Sequence, residues 1–250
     1  AVVSSTLDPA AALETATSLE AVFAPVRSQT AFEETVERLG TAITIGLLPP
    51  GTRLPPERML CEKLGIARST LRQALVALAQ SGHLHAVRGR GGGTFVADPQ
   101  PPAPPPSPEV LADWHDICDR RSALEIGVAV IAAQRATPEA VDVLDELARL
   151  IEGTYDDFPA YRQLDVRLHV GLAEATGSTR LVAAMTEVQG EMTALISYIA
   201  HPHEVLLAAN VQHQRLVEAV RKHDESRAGR EMAEHVRATE HILAGLLPRR

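Results

Sequence analysis

The chain has 250 residues, 45% of them hydrophobic, and a formal net charge of −8. That length and apolar content support one large or two modest globular domains, two being expected here, and exclude a chain too polar to bury a core. The acidic average argues against a general nucleic-acid binder, but residues 41 to 97 hold seven Lys or Arg against two acids, a local +5 that leaves −13 on the rest.

Cys61 and Cys118 are the only cysteines and show no C-x-x-C spacing, so a reducing cytoplasm is the simplest home. No Lys or Arg precedes Arg27, and nowhere do about twenty apolar residues occur together. Neither a secretion signal nor a membrane span is predicted.

Residues 1–30 are small, polar and rich in Ala, Thr and Ser, which predicts a flexible N-terminal arm. From Ala31, the residues Phe32, Val36, Leu39, Ile43 and Leu47 recur every three to four positions and predict a helix ended by Pro49-Pro50-Gly51. Two short helical patterns follow, Arg58 to Leu64 and Ser69 to Gln80, broken by Gly65. This is helix-turn-helix punctuation, with Leu71, Leu75 and Leu78 setting the inner face of the second helix. Arg68 and Arg72 lie four apart on the other face beside Ser69 and Thr70, a combination of guanidinium forks and hydroxyls suited to guanine edges and phosphates. After Gly82 an apolar alternation through Leu84 and Val87, a polar glycine-rich turn from Arg88, Gly89 and Arg90 through Gly91 and Gly92 to Gly93, and a return through Thr94, Phe95 and Val96 predict a β-hairpin wing. Residues 31–97 are therefore expected to form a winged helix-turn-helix domain.

Residues 98–108 contain seven prolines in eleven positions, which no helix or paired strand tolerates, and predict a semi-rigid linker. Residues 109–250 carry apolar residues at helical spacing with sparse glycine. Six helices are predicted, over 110–135, 138–152, 159–176, 179–201, 204–223 and 225–247, giving a mainly α protein whose second domain is a helical bundle.

The chemistry of this second half lies in its histidines. Asp165 and His169 are four apart on one helical face, flanked by Leu164, Leu168 and Leu172. His213 falls in phase with Leu206, Ala209, Leu216 and Val220, and His235 with Met232, Ile242 and Leu246. Three histidines and a carboxylate from three helices thus converge on one core. A divalent metal such as zinc, nickel, iron or manganese would satisfy them together, and a self-satisfied polar core is the competing arrangement. The other seven histidines are read as surface residues.

The motifs between Pro50 and Val96 resemble those of the GntR family of bacterial transcription regulators. They are Pro50-Gly51, Leu54-Pro55, Glu57-Arg58, Gly65-Ile66, Arg68, Arg72, Ala74-Leu75, Gly82, Gly89, Gly91 and Phe95-Val96. The chain departs at Ala67, where the family usually carries a hydroxyl; a lost helix cap costs on the order of 1 kcal/mol. The second half resembles the metal-binding FCD ligand domain of the FadR-type branch, whose Asp-x-x-x-His and two later histidines match Asp165, His169, His213 and His235. Lacking a seventh helix, it is closer to the six-helix subgroup than to the acyl-CoA-binding one.

The resemblance implies a homodimeric, cytoplasmic regulator, a repressor by expectation. It would bind double-stranded operator DNA through Arg58, Arg68, Ser69, Thr70, Arg72, Arg88, Gly89 and Arg90. A small organic or sugar acid would bind at the metal, with Arg121 of the Arg121-x-x-x-Glu125 pair either holding the effector carboxylate or pairing with an acid of the fold. A metal-dependent enzyme with a DNA-binding appendage, and a metal-free dimerising regulator, are the alternatives. No nucleophile motif supports the enzyme.

Overall fold

The computed structural model describes residues 30–89, 91–101, 108–197 and 201–246. The N-terminal arm apart from Thr30, most of the proline linker, Arg90 and the predicted helical extension over 198–200 lie outside the described residues.

The first unit is built of α1 (Ala31–Thr44), α2 (Glu57–Leu64), α3 (Arg68–Gln80), β1 (Leu84–Val87) and β2 (Gly93–Val96). Helix α1 starts with a capping box, in which the Thr30 side chain accepts from the Glu33 N–H and the Glu33 carboxylate accepts from Thr30. Helix α2 ends on Gly65 in the left-handed conformation, φ +67°, which turns the chain into α3. Leu39, Ile43, Leu54, Leu60, Leu71, Leu75, Leu78, Leu84 and Val96 form the core of this unit. The wing is antiparallel, with Leu84 opposite Val96 and Val87 opposite Gly93. Its turn requires glycine at 92, where a Cβ would lie 2.3 Å from the Val87 carbonyl oxygen. Arg53 braces it, its Nη2 donating to the Gly92 carbonyl at 2.5 Å.

The second unit comprises α4 (Pro108–Ala112), α5 (Trp114–Arg135), α6 (Pro138–Ile151), α7 (Phe158–Ala175), α8 (Thr179–Ile196), α9 (His203–Arg221) and α10 (Glu225–Leu246). The six predicted helices are present as α5 to α10, with two differences: the helix expected from Val110 is interrupted at Asp113, and the helix expected to run to residue 201 ends at Ile196, with Ser197 as its C-cap. The break sends Trp114 into a core cluster with Cys118, Val188, Met192, Leu195 and Leu243. Thr137, Asp157 and Ser178 cap α6, α7 and α8 through side-chain oxygens.

The two units touch directly. Ile45, just beyond α1, is buried in the main core of the bundle. A Cβ on Gly46 would meet Gln163 Cγ of α7 at 2.5 Å, and one on Gly190 of α8 would meet Thr41 Cγ2 of α1 at 2.7 Å. Among the described residues no helix is long and apolar enough to cross a membrane.

Candidate metal centre and nucleic-acid interface

Helix α7 presents Asp165 and His169 one turn apart, α9 contributes His213 and α10 contributes His235, and all four are buried. Each offers one ligand atom, and these atoms lie within 4.8 Å of one another. Asp165 Oδ1 is 3.4 Å from His213 Nε2 and 3.8 Å from His169 Nε2, while His213 Nε2 and His235 Nε2 are 3.4 Å apart. The convergence expected from helical phase is what the fold produces.

A shell of polar groups surrounds Asp165, His169 and His235, whereas His213 Nδ1 is buried without a hydrogen-bond partner. Arg162, buried one turn before Asp165, pairs with Asp165 Oδ2, which leaves Oδ1 to face the histidines. The guanidinium is itself anchored, Nε donating to Thr193 Oγ1 at 3.1 Å and Nη2 to Gln189 Oε1 at 2.8 Å. Glu125, fully buried on α5, accepts from Arg121 Nε at 2.8 Å and from Gln189 Nε2 at 2.9 Å on Oε1, and its Oε2 lies 2.5 Å from His169 Nδ1. His235 Nδ1 faces the Gln212 amide oxygen at 3.2 Å. A carboxylate and an amide oxygen accept only, so both outer nitrogens carry the proton and both Nε2 atoms turn lone pairs inward.

The charge states agree with this arrangement. Burial opposes ionisation of Asp165, but the Arg162 guanidinium paired with it outweighs that and holds the carboxyl well below the usual range. Burial likewise opposes ionisation of Glu125, and Arg121 and His169 overcome it in the same direction. Burial pushes His213 down to about 4 against the pull of Asp165, and lowers His235 well below the ordinary histidine value. His213 and His235 are therefore neutral at pH 7.

His169 Nε2 has no hydrogen-bond partner, so inward lone pairs and a carboxylate oxygen share one space. Leaving such acceptors buried and unpaired is costly. Four ligands about 2.1 Å from a tetrahedral zinc stand roughly 3.4 Å apart, the separation found twice here. The residues thus fit a divalent cation, held by Asp165 Oδ1 and the three Nε2 atoms. Bound there, it would supply a Lewis-acidic positive centre.

Arg121 is buried and pairs with Glu125 one turn on, the arrangement expected if it serves an acid of the fold. Arg162 and Gln189 had no place in the sequence reading, and Glu125 entered it only as the partner of Arg121, not as a neighbour of His169. Glu125 had a visible signal, since it falls in phase with the buried Val128, Ala129 and Ala132. Of the histidines read as surface residues, His83, His115 and His201 are half-buried, His201 stacked on Phe158 at a ring separation of 3.3 Å and His115 tilted against Trp114 at 3.6 Å.

On the helix-turn-helix unit, Arg68 and Arg72 both donate through Nε to Glu57 Oε2, at 3.1 and 3.0 Å. One carboxylate from α2 thus gathers both forks beside the exposed Ser69 and half-buried Thr70. The small burial of Glu57 works against its ionisation, and the two arginines hold its pKa below the ordinary value. Ala67 is the N-cap of α3 and provides no side-chain bond, as its methyl group dictates. Arg58 is exposed and paired with Glu62 of its own helix at 2.6 Å, apart from the Glu57 carboxylate that gathers Arg68 and Arg72. Arg88 and Gly89 are exposed at the tip of the wing, and Arg90 lies outside the described residues.

Comparison with known proteins agrees with both halves. Residues 32–96 match the family described as bacterial regulatory proteins, gntR family, and residues 116–238 match the FCD domain. The chain is 35% identical over 217 residues to RmpR of Mycobacterium gastri, named as an HTH-type transcriptional regulator, covering 81% of this chain and 76% of that one. It is 30% identical over 221 residues to the L-lactate dehydrogenase operon regulatory protein of Escherichia coli, covering 82% and 83%. The solved structure of E. coli McbR/YncC shares the fold, with a TM-score of 0.55 at 19% identity over 87% of this chain and 99% of that one. Its relatives being named regulators rather than enzymes, the chain belongs to the GntR family of bacterial transcription regulators, with an N-terminal helix-turn-helix and a C-terminal FCD domain.

Proposed function

We propose that this regulator is a homodimeric repressor that binds a near-palindromic operator and releases it in response to a small organic or sugar acid bound at a metal centre. The observation that carries the reading is the four-ligand cluster of Asp165, His169, His213 and His235, with its inward lone pairs and braced outer nitrogens. Zinc is the first choice of ion, and nickel, iron or manganese suit the same donors. A cation with positions beyond its four protein ligands can take a carboxylate, and its charge offsets that of the effector. The name of the lactate-operon relative points to the same class of molecule. Arg121 we assign first to holding Glu125 against His169, and through it to the effector site.

The domains we assign are 31–97 for DNA and 109–250 for effector and dimerisation. Arg58, Arg68, Ser69, Thr70 and Arg72 would meet bases and phosphates, and Arg88 to Arg90 of the wing would add backbone or minor-groove contacts. The signal has a short route. Gln163, against Gly46, follows Arg162 in sequence, and Gly190, against Thr41, follows Gln189. Both neighbours belong to the shell of the metal centre. An effector that favours one packing of α7 and α8 over another would thereby bias the placement of α1 and the DNA-reading head.

Metal analysis of protein purified without a histidine tag, followed by thermal-shift screening of small carboxylates with and without chelator, tests the sensor. A metal-dependent shift is expected. Absence of metal, together with an unchanged stability and effector response in His213→Ala, would overturn it. For the head, Arg68→Ala is expected to abolish operator selectivity while dimers persist in sizing experiments; loss of both together would refute the division of labour.

A further inference from the structure

The inner face of α3 is accounted for by burial of Leu71, Ala74, Leu75 and Leu78. The outer face runs through Ser69, Gln73, Val76 and Gln80, spaced four, three and four apart, with Arg72 alongside. Val76 stands at the centre of this face and is 54% exposed, although it is branched and fully apolar. Val76 and Ala77, with Phe32 of α1, line an open recess whose remaining walls are Arg72, Gln73 and Gln80. Gln73 is exposed and makes no side-chain hydrogen bond among the described residues. A single surface valine is ordinary on most helices. On this face it sits where Arg68 and Arg72 would bring a duplex against the protein.

The major-groove edge of an A·T pair offers the adenine N7 acceptor, the adenine N6 donor and the thymine 5-methyl, the one apolar group on any base edge. A glutamine amide matches the first two and a valine side chain the third. Residues 73 and 76 are one turn apart, a rise of about 4.5 Å against about 3.4 Å between base pairs, so they meet the same or the next pair.

We infer that Gln73 and Val76 are specificity-determining residues that read A·T pairs in each half-site, Gln73 through the adenine edge and Val76 through the thymine 5-methyl group. This rests on the DNA-binding reading of α3 and adds two contacts to it.

The test begins with selection from a random-sequence duplex library by the full-length protein. Each thymine of the selected site is then replaced in turn by deoxyuridine, which lacks only the 5-methyl group. One thymine per half-site is expected to lose about four-fold in affinity on replacement, the value of burying one such carbon. In Val76→Ala that loss should vanish, and in Val76→Thr, which keeps a γ-methyl, it should return. Gln73→Ala should relax preference for adenine at the same or adjacent position by on the order of ten-fold. Circular dichroism and sizing verify that these exposed variants fold and assemble as the parent does. A selected site in which no thymine couples to Val76 overturns this inference and leaves the DNA reading standing. Failure of the library to enrich at all overturns the DNA reading and this inference with it.

Discussion

Replacing Glu125 by glutamine separates a metal-holding role for the shell from a merely structural one. Glutamine has the volume of glutamate and keeps an oxygen that can accept from Arg121 and Gln189, the two bonds now made by Oε1. It places an amide N–H₂ where Oε2 stands 2.5 Å from His169 Nδ1. Two donors cannot share that contact, so His169 shifts its proton to Nε2 and ceases to be a ligand in its present orientation. Loss of such an outer partner lowers metal affinity by roughly 10- to 100-fold. The substitution also strips the buried Arg121 of its counter-charge, and breaking a buried pair from one side costs about 3–5 kcal/mol. Two measurements follow: urea unfolding in chelator for the metal-free stability, and competition with a chromophoric chelator for zinc affinity. Both quantities should fall. Stability falling with zinc affinity unchanged within two-fold would show that Glu125 serves Arg121 alone, and the account of the His169 tautomer would be wrong.

Three further outcomes are expected. His213, at about 4, and His235 both sit below the unfolded histidine value of about 6.5, because burial disfavours their charged forms. Between those values the unfolded chain binds protons that the fold does not, so chelated protein should lose stability as pH falls from about 6.5 toward 4 and show no such loss above 7. A flat urea midpoint over that window would mean the rings are protonated inside the fold. Gly190→Ala places a Cβ 2.7 Å from Thr41 Cγ2 and should weaken the response of DNA binding to effector while leaving metal content intact. Adding Thr41→Ser, which removes that methyl, should restore the response; no change in the single variant would dismiss the α1–α8 contact as a route. Finally, Ala67→Ser supplies the missing cap of α3 and should raise stability by about 1 kcal/mol in chemical unfolding. No gain would mean that the exposed N–H groups are already satisfied by water.

What was legible in the sequence was local. Gly65 marked the turn between α2 and α3 because a left-handed residue is needed there, and Gly92 marked the wing because a side chain would strike the Val87 carbonyl. Helical period placed Asp165 and His169 on one face, and phase against the leucines aimed His213 and His235 inward, so the four residues of the cluster could be named before their distances were known. Whatever depended on a partner far along the chain was not legible. The break at Asp113 follows from the burial of Trp114 among residues of α8 and α10, and periodicity alone carried the helix through it. Gln189 bonds Glu125 across 64 positions and Arg162 through 27, and nothing in the spacing of the chain ties them together. Nor does any sequence pattern say that Ile45 leaves the head to enter the core of the bundle. By itself the sequence determined which elements form and which faces are apolar, because turns and amphipathic periods are set within a few residues. Tertiary structure alone decided which buried charge meets which, and how the head rests on the sensor, because those pairings are fixed only when separate helices pack.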